Sequence, residues 1–291
     1  MEKTDIRIGM VPLPEVAPIQ IAIDKGYFAA EGLKVETETI AGGGAAMPDL
    51  ISGKLDFLHS NYVSALLASA SGVAKIKIVG DAYAAKPGNF LLMTKKGSPI
   101  TEPAHLKGRT VGVNTLNNVA TLTVSALLKP AGLRPEDVKF VERPFPEMAG
   151  ALDSGQVDVA FLPEPFLQAA AKTLGAVELI DPFTGPTADF PIAGYLTTET
   201  FAQQSPKVVA AFQRALRKAA ELAVSNPAEV AAALGKYTKI DAATAATMKL
   251  GGFSTSVDPV RVQRVADLML EFGYLKQRLD VAPLLAGGAA S

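Results

Sequence analysis

The polar groups with the most usable chemistry in this chain follow short β-rich runs. Glu15 lies in VPLPEV, residues 11–16, a loop stiffened by prolines after a run at 6–10. Gly42, Gly43 and Gly44 follow the run at 35–40. Glycines let backbone N–H groups converge, and a helix start favours a negative group. Ser60, Asn61 and Tyr62 follow 55–59 and offer a hydroxyl, an amide and an aromatic wall. Asn114, Thr115 and Asn117 take the matching place after 110–113. Glu164 stands between Pro163 and Pro165 after 157–162, and the following proline restricts its backbone. In an open α/β sheet, ligands bind beyond the carboxyl ends of strands. These residues can therefore hydrogen-bond a small polar molecule. Each also has a plainer reading: a rigid turn, a flexible glycine loop, a helix cap or a solvated glutamate.

Catalytic constellations are missing from the sequence. There is no cysteine, which excludes disulfides, thiolate catalysis and cysteine-based metal sites. The two histidines, His59 and His105, are far apart and lack ligand spacing, so no metal and no cofactor is expected. His59, at a strand end, reads as a packed or capping residue. Neither dinucleotide nor P-loop glycine motifs occur, nor G-x-S-x-G, nor H-E-x-x-H. A formal net charge of −1 leaves no basic footprint for nucleic acid. No continuous apolar run reaches the roughly 18 residues of a membrane span.

The elements that must hold these residues alternate. Strands are expected at 6–10, 35–40, 55–59, 76–80, 110–113, 139–141 and 157–162. Helices are expected at 19–31, 47–52, 63–70, 120–129 and 146–154, several closed by glycines such as Gly32 and Gly53. This alternation indicates an α/β fold with a parallel sheet covered on both faces. Residues 182–195, rich in Pro, Gly, Thr and Asp, read as a loop. Helices follow near 206–225, 227–234, 242–250 and 259–272, and 285–291 reads as a frayed tail.

Part of this pattern is used twice. GLKV at 32–35 and LISGKLDF at 50–57 correspond to GL at 132–133 and ALDSGQVDV at 151–159. Glycine-capped helices recur in any α/β chain. The alternative is two similarly built lobes with a ligand cleft between them. Because the pattern restarts near Thr110, residues 1–87 plus 192–291 are expected as one lobe and 88–191 as the other.

The most specific stretch is IQIAIDKGYFAAEGLKV at 19–35. With AGGGAAMPDLISGKLDF (41–57), LKGRTVGVN (106–114) and SGQVDVAFLPEPF (154–166) in the same order, it resembles the nitrate/sulfonate/taurine-type solute-binding proteins of ABC importers. The resemblance covers most of residues 5–225. It implies the two-lobed periplasmic-binding-protein type II fold, with two crossovers near 81–90 and 191–196 and a ligand cleft between the lobes. The crossovers would bring Asp81, Tyr83 and Asn89 to one side of a ligand and Asp189, Phe190 and Tyr195 to the other. The family also implies export, often with a lipid anchor on an N-terminal cysteine, and an ABC permease as membrane partner. A monomer is expected. The chain opens directly on a strand-like run, so a cytosolic protein and a chain whose export signal or anchor has been removed both stay open. The resemblance favours the second, and hence a periplasmic or extracellular, membrane-associated place.

A solute-binding protein for import, and not an enzyme, is the expected function. One alternative is an enzyme on the same fold. Thiamine-pyrimidine synthases resemble this family but carry a cysteine-rich motif, which is missing here. Another is the effector-sensing domain of a regulator, which would follow a DNA-binding helix-turn-helix. The candidate loops hold Glu15, Asp81, Glu164 and Asp189 but one obvious cation, Lys86. A bare oxyanion is better met by Arg or Lys. The carboxylates therefore suggest a ligand with N–H donors: a thiamine-precursor pyrimidine, another amine-bearing heterocycle, or a zwitterion such as taurine. A sulfonate or related anion stays open, held by backbone amides at Gly42, Gly43 and Gly44. With no tryptophan, stacking would fall to Tyr62, Tyr83, Phe166, Phe190 or Tyr195.

Overall fold

The computed structural model describes residues 1–286. In chain order the strands are β1 (Asp5–Met10), β2 (Lys34–Thr39), β3 (Phe57–Asn61), β4 (Ile76–Ala84), β5 (Phe90–Thr94), β6 (Thr110–Val113), β7 (Lys139–Glu142), β8 (Val159–Pro163), β9 (Val177–Ile180) and β10 (Pro191–Thr198). The helices are α1 (Ala17–Asp24), α2 (Tyr27–Ala30), α3 (Gly43–Ile51), α4 (Tyr62–Ala70), α5 (Val119–Leu128), α6 (Phe145–Asp153), α7 (Phe166–Leu174), α8 (Glu199–Gln204), α9 (Pro206–Ser225), α10 (Pro227–Tyr237), α11 (Ala242–Thr247) and α12 (Pro259–Glu271). The chain divides into two compact units. Unit 1 holds Met1–Ala84, Pro191–Ala242 and the described residues from Gly252 onward, and unit 2 holds Ala85–Phe190 with Ala243–Gly251. Among the described residues no helix is long and apolar enough to cross a membrane.

Unit 1 is built on a sheet ordered β2-β1-β3-β10-β4. β1 runs parallel to β2 and β3, whereas β10 runs antiparallel to β3 and β4. The sheet is thus mixed, not parallel throughout. Residues 191–195, expected as loop, begin β10, which is buried along nearly its whole length. Pro191 is tolerated as the first residue of the strand. Gly194 is needed, because a Cβ there would stand 2.7 Å from Tyr62 Oη and 2.8 Å from the Gly80 carbonyl oxygen. β4 runs past its expected end to Ala84, so Asp81 and Tyr83 are strand residues. β3 ends at Asn61, so Ser60 and Asn61 also belong to a strand. The helix expected at 19–31 is broken by Gly26, whose φ of 69° separates α1 from α2. α3 starts earlier than expected because the glycines themselves form its first turn. On one face of the sheet α1, α2 and α9 pack together. There Phe212 of α9 stacks on Phe57 at 4.0 Å and on Phe28 at 5.8 Å between centroids. α4 packs against α3 and α12. Of the tail expected at 285–291, residues 287–291 lie outside the described residues. Leu285 bridges Ile78, and the Ala286 N–H donates to the Ile78 carbonyl at 2.9 Å, so these two are not frayed.

Unit 2 repeats the plan with the order β7-β6-β8-β5-β9. β6 is parallel to β7 and β8, and β5 is antiparallel to β8 and β9. β5, β9 and α7 lie where no element was expected. The run FLLMT in β5 is buried on both faces and shows no alternation to read. Leu91, Met93, Met148, Leu152 and Leu162 form one core layer. Phe90, Phe161 and Phe183 form an aromatic cluster joined by Phe190.

Candidate functional site

The strand ends of unit 1 carry two polar clusters. Glu15 sits in a short 3-10 turn, Pro14–Val16, and is 4% exposed, not a free loop residue. Its Oε2 lies 3.0 Å from His59 Nε2. The contact is off the ring N–H direction, so neither nitrogen of the buried His59 has an aligned hydrogen bond. Tyr195 pairs with His59 across β10 and β3, and its buried hydroxyl has no partner. Burial, with Glu15 and Asp81 nearby, holds that hydroxyl's pKa well above its usual value. The Tyr237 hydroxyl, at the end of α10, donates to the Leu13 carbonyl at 2.9 Å and fastens the Glu15 turn.

The second cluster joins α3, α4 and β4. α4 is capped by Asn61, whose Oδ1 accepts the Ser64 N–H at 2.9 Å. α3 has no side-chain cap at Gly42. Its first turn is so close to β3 that a Cβ on Gly43 would stand 2.2 Å from Ser60 Oγ and 2.5 Å from Ser60 Cα. Such uncapped N–H groups suit an anion or an acceptor. The Tyr62 hydroxyl donates to Asp81 Oδ1 at 2.9 Å. Burial pushes the Asp81 carboxyl up to about 6, against Tyr62, Arg261, the Ala82 N–H and Ser254, which favour its ionised form. Tyr83 packs edge-on to Phe253.

In unit 2, Asn118 ties up much of the loop before α5. Its Oδ1 accepts from the Ala120 and Thr121 N–H groups, and its Nδ2 donates to Asn114 Oδ1 and Thr115 Oγ1, both at 2.8 Å. Asn117 takes a positive φ of 51° in the same loop. Phe190 is buried in the aromatic cluster. Lys86 pairs with Asp189 at 2.8 Å on the surface. Glu164 is 3% exposed. Its Oε1 accepts from Gln168 Nε2 at 3.0 Å and from the Lys249 N–H at 3.1 Å, while its Oε2 has no partner. Burial raises its carboxyl pKa, opposed by those two donors. Asn89 is equally buried, with Nδ2 unpartnered.

His59 reads in the sequence as a packed or capping residue, and it is indeed buried; Tyr237, Arg261, Gln168 and Lys249 were missed. These come from helices and segments far along the chain. Among the described residues no three His, Asp or Glu side chains gather as a metal site.

The sequence model of the family described as NMT1/THI5 like matches residues 13–230. A putative aliphatic sulfonates-binding protein of Bacillus subtilis is 27% identical over 74% of this chain, and the taurine-binding periplasmic protein of Escherichia coli is 27% identical over 72%. The match spans 64% of each of these relatives, less than two thirds of their own length. A yeast 4-amino-5-hydroxymethyl-2-methylpyrimidine phosphate synthase, from Saccharomyces cerevisiae, is 24% identical over 78% of this chain and 68% of its own. Among solved structures, the alkanesulfonate-binding protein SsuA of Xanthomonas axonopodis pv. citri, bound to MOPS, superposes with a TM-score of 0.80 at 19% identity, covering 98% of this chain and 99% of that one. The fold is therefore that of the periplasmic binding proteins, and the chain belongs to the NMT1/THI5-like family.

Proposed function

We propose that the protein is the extracytoplasmic solute-binding component of an ABC importer. It captures a small polar organic solute by closure of its two units and hands it to a membrane permease. What supports this is the match over residues 13–230 to a family whose relatives here include sulfonate- and taurine-binding proteins. The ligand-contacting set is proposed as Glu15, Gly42–Gly44, Ser60, Tyr62, Asp81, Tyr83 and Tyr195 from unit 1 and Asn89, Asn114, Thr115 and Glu164 from unit 2. Asn61, Asn117 and Phe190 act behind it as cap, turn and core. Thermal-shift screening followed by calorimetry tests the reading, with taurine, aliphatic sulfonates, aminopyrimidines and simple amides as the panel. A ligand that binds only the native state raises the melting temperature, and one that favours the closed form lowers the radius of gyration in X-ray scattering. A panel with no binder, or a radius unchanged at saturation, counts against it.

A second reading, an enzyme on this fold, is favoured by the likeness to the pyrimidine phosphate synthase. Mass spectrometry of each bound candidate after incubation separates the two, because a carrier returns its ligand unchanged.

A further inference from the structure

We infer that Asn89 and Glu164 together read an amide edge, a hydrogen-bond acceptor beside an N–H donor as in a carboxamide, lactam or ureide, and that they select against sulfonates. The inference rests on the proposed role in solute capture and names the ligand chemistry at one part of that site. β5 and β8 are antiparallel with Phe90 opposite Pro163. One step further along, the Glu164 N–H donates to the Asn89 carbonyl at 3.0 Å. The two residues therefore face each other, and side chains so paired share one face with Cβ atoms about 5 Å apart.

Each side chain is held at one end and bare at the other. Asn89 Oδ1 accepts the Lys86 N–H at 3.0 Å, which fixes the amide orientation and leaves Nδ2 as the free end. Glu164 Oε1 is taken by Gln168 and the Lys249 N–H, which leaves Oε2 as its free end. The pair thus presents one donor and one acceptor that their own anchors keep from satisfying each other. Both free ends are buried without a partner. Leaving buried polar groups bare is costly, and a single group of complementary sense removes both costs at once. An amide edge does so: its carbonyl oxygen accepts from Asn89 and its N–H donates to Glu164. A sulfonate supplies acceptors only and would bring a negative charge against the Glu164 carboxylate.

Calorimetry with 2-pyrrolidone, hydantoin and nicotinamide on one side, and methanesulfonate and ethanesulfonate on the other, tests this on the wild type, Glu164→Gln and Asn89→Ala. Glu164→Gln keeps an oxygen for Gln168 and Lys249 but turns the free end into a second donor, so the fold is retained. Circular dichroism checks both variants. At least one amide probe should bind the wild type and lose about tenfold to a hundredfold in both variants. Binding of the sulfonates should not fall in Glu164→Gln. Amide probes that bind equally well to all three proteins would overturn the inference and leave the pair bridged by an ordered water only. Binding of sulfonates alone would overturn it while sparing the solute-capture reading. Silence of all three amide probes also overturns it, whereas the solute-capture reading fails only if the whole wider panel is silent.

Discussion

The two units share a scaffold and differ at their strand ends. In each, a glycine-closed helix leads to an aspartate just before a central strand. Asp56 Oδ2 accepts the Arg7 N–H at 2.9 Å in unit 1, and Asp158 Oδ2 accepts the Thr110 N–H at 2.8 Å in unit 2. In each, a glycine in the neighbouring strand, Gly9 or Gly112, leaves room for the side chains over it. The ends diverge. The first turn of α3 is glycine pressed against Ser60. The corresponding turn of α6 begins with Phe145, which stacks on Phe166 at 5.5 Å. After β3 comes Tyr62, hydrogen-bonded to Asp81; after β8 comes Glu164, half committed to Gln168 and Lys249. Unit 1 thus adds backbone amides and tyrosine hydroxyls to the carboxylates of Glu15 and Asp81, whereas the candidates of unit 2 are the Glu164 carboxylate, the carboxamides of Asn89 and Asn114 and the Thr115 hydroxyl. The repeated parts are the scaffold, and the parts that break the repeat hold the residues proposed to meet a ligand.

The strongest way to break this comparison is to put a side chain where only unit 1 has none. Gly43→Ala places a methyl within 2.5 Å of Ser60 backbone, which cannot yield as the end of a flexible side chain would. Overpacking against a fixed neighbour costs about 3 kcal/mol or more. The urea midpoint should fall accordingly. Phe145→Ala in unit 2 removes only a half-buried ring and should cost about 1–2 kcal/mol. Equal losses would mean that the close approach of α3 to β3 is not tighter than its counterpart.

What was legible followed from local pattern. Gly53 to Asp56 and Gly155 to Asp158 announced the repeat, and the strands before them fell where periodicity put them, to within two residues. β10 was hidden because Pro191 and Gly194 are turn-formers by composition, and their role is set by Tyr62 and Gly80 on other strands. β5 was hidden because burial on both faces removes alternation. Among the candidate residues, Glu15, Asp81 and Glu164 could be singled out, since they stand next to strand runs. Their partners could not. Lys249 reaches Glu164 across 85 residues of sequence, and no local signal spans such a distance.

A second test sharpens the contrast through pH. The folded pKa of Asp81, about 6, is raised above the 3.8 of a free aspartate chiefly by burial. The folded state then holds a proton that the unfolded state releases. The stability linked to Asp81 is fully present below about pH 4 and is lost as pH rises through 6. Asp81→Asn removes this loss. Between pH 4 and pH 7 the stability difference should shift in favour of the variant by up to about 3 kcal/mol. Urea unfolding of both proteins at several pH values measures it. A difference that stays flat would show that Tyr62 and Arg261 already offset the burial.

The smallest expected effect concerns unit 2's surface charge. Lys86 is the cation the sequence offered to an oxyanion, but its ammonium meets Asp189 at 2.8 Å with both side chains about half exposed. An exposed pair of this kind contributes about 0–1 kcal/mol and is screened by salt. Lys86→Met should therefore change stability by less than about 1 kcal/mol, and less still in high salt. Its consequence for binding is sharper. If a sulfonate were anchored by this ammonium, the loss of a charged hydrogen bond would weaken it about tenfold or more. If anions are met by the uncapped amides of α3 in unit 1, taurine or ethanesulfonate affinity should stay within about threefold of wild type. Calorimetry at low and high salt distinguishes these outcomes. A tenfold loss that salt abolishes would move the anion to unit 2 and reverse the division of labour between the two sets of strand ends.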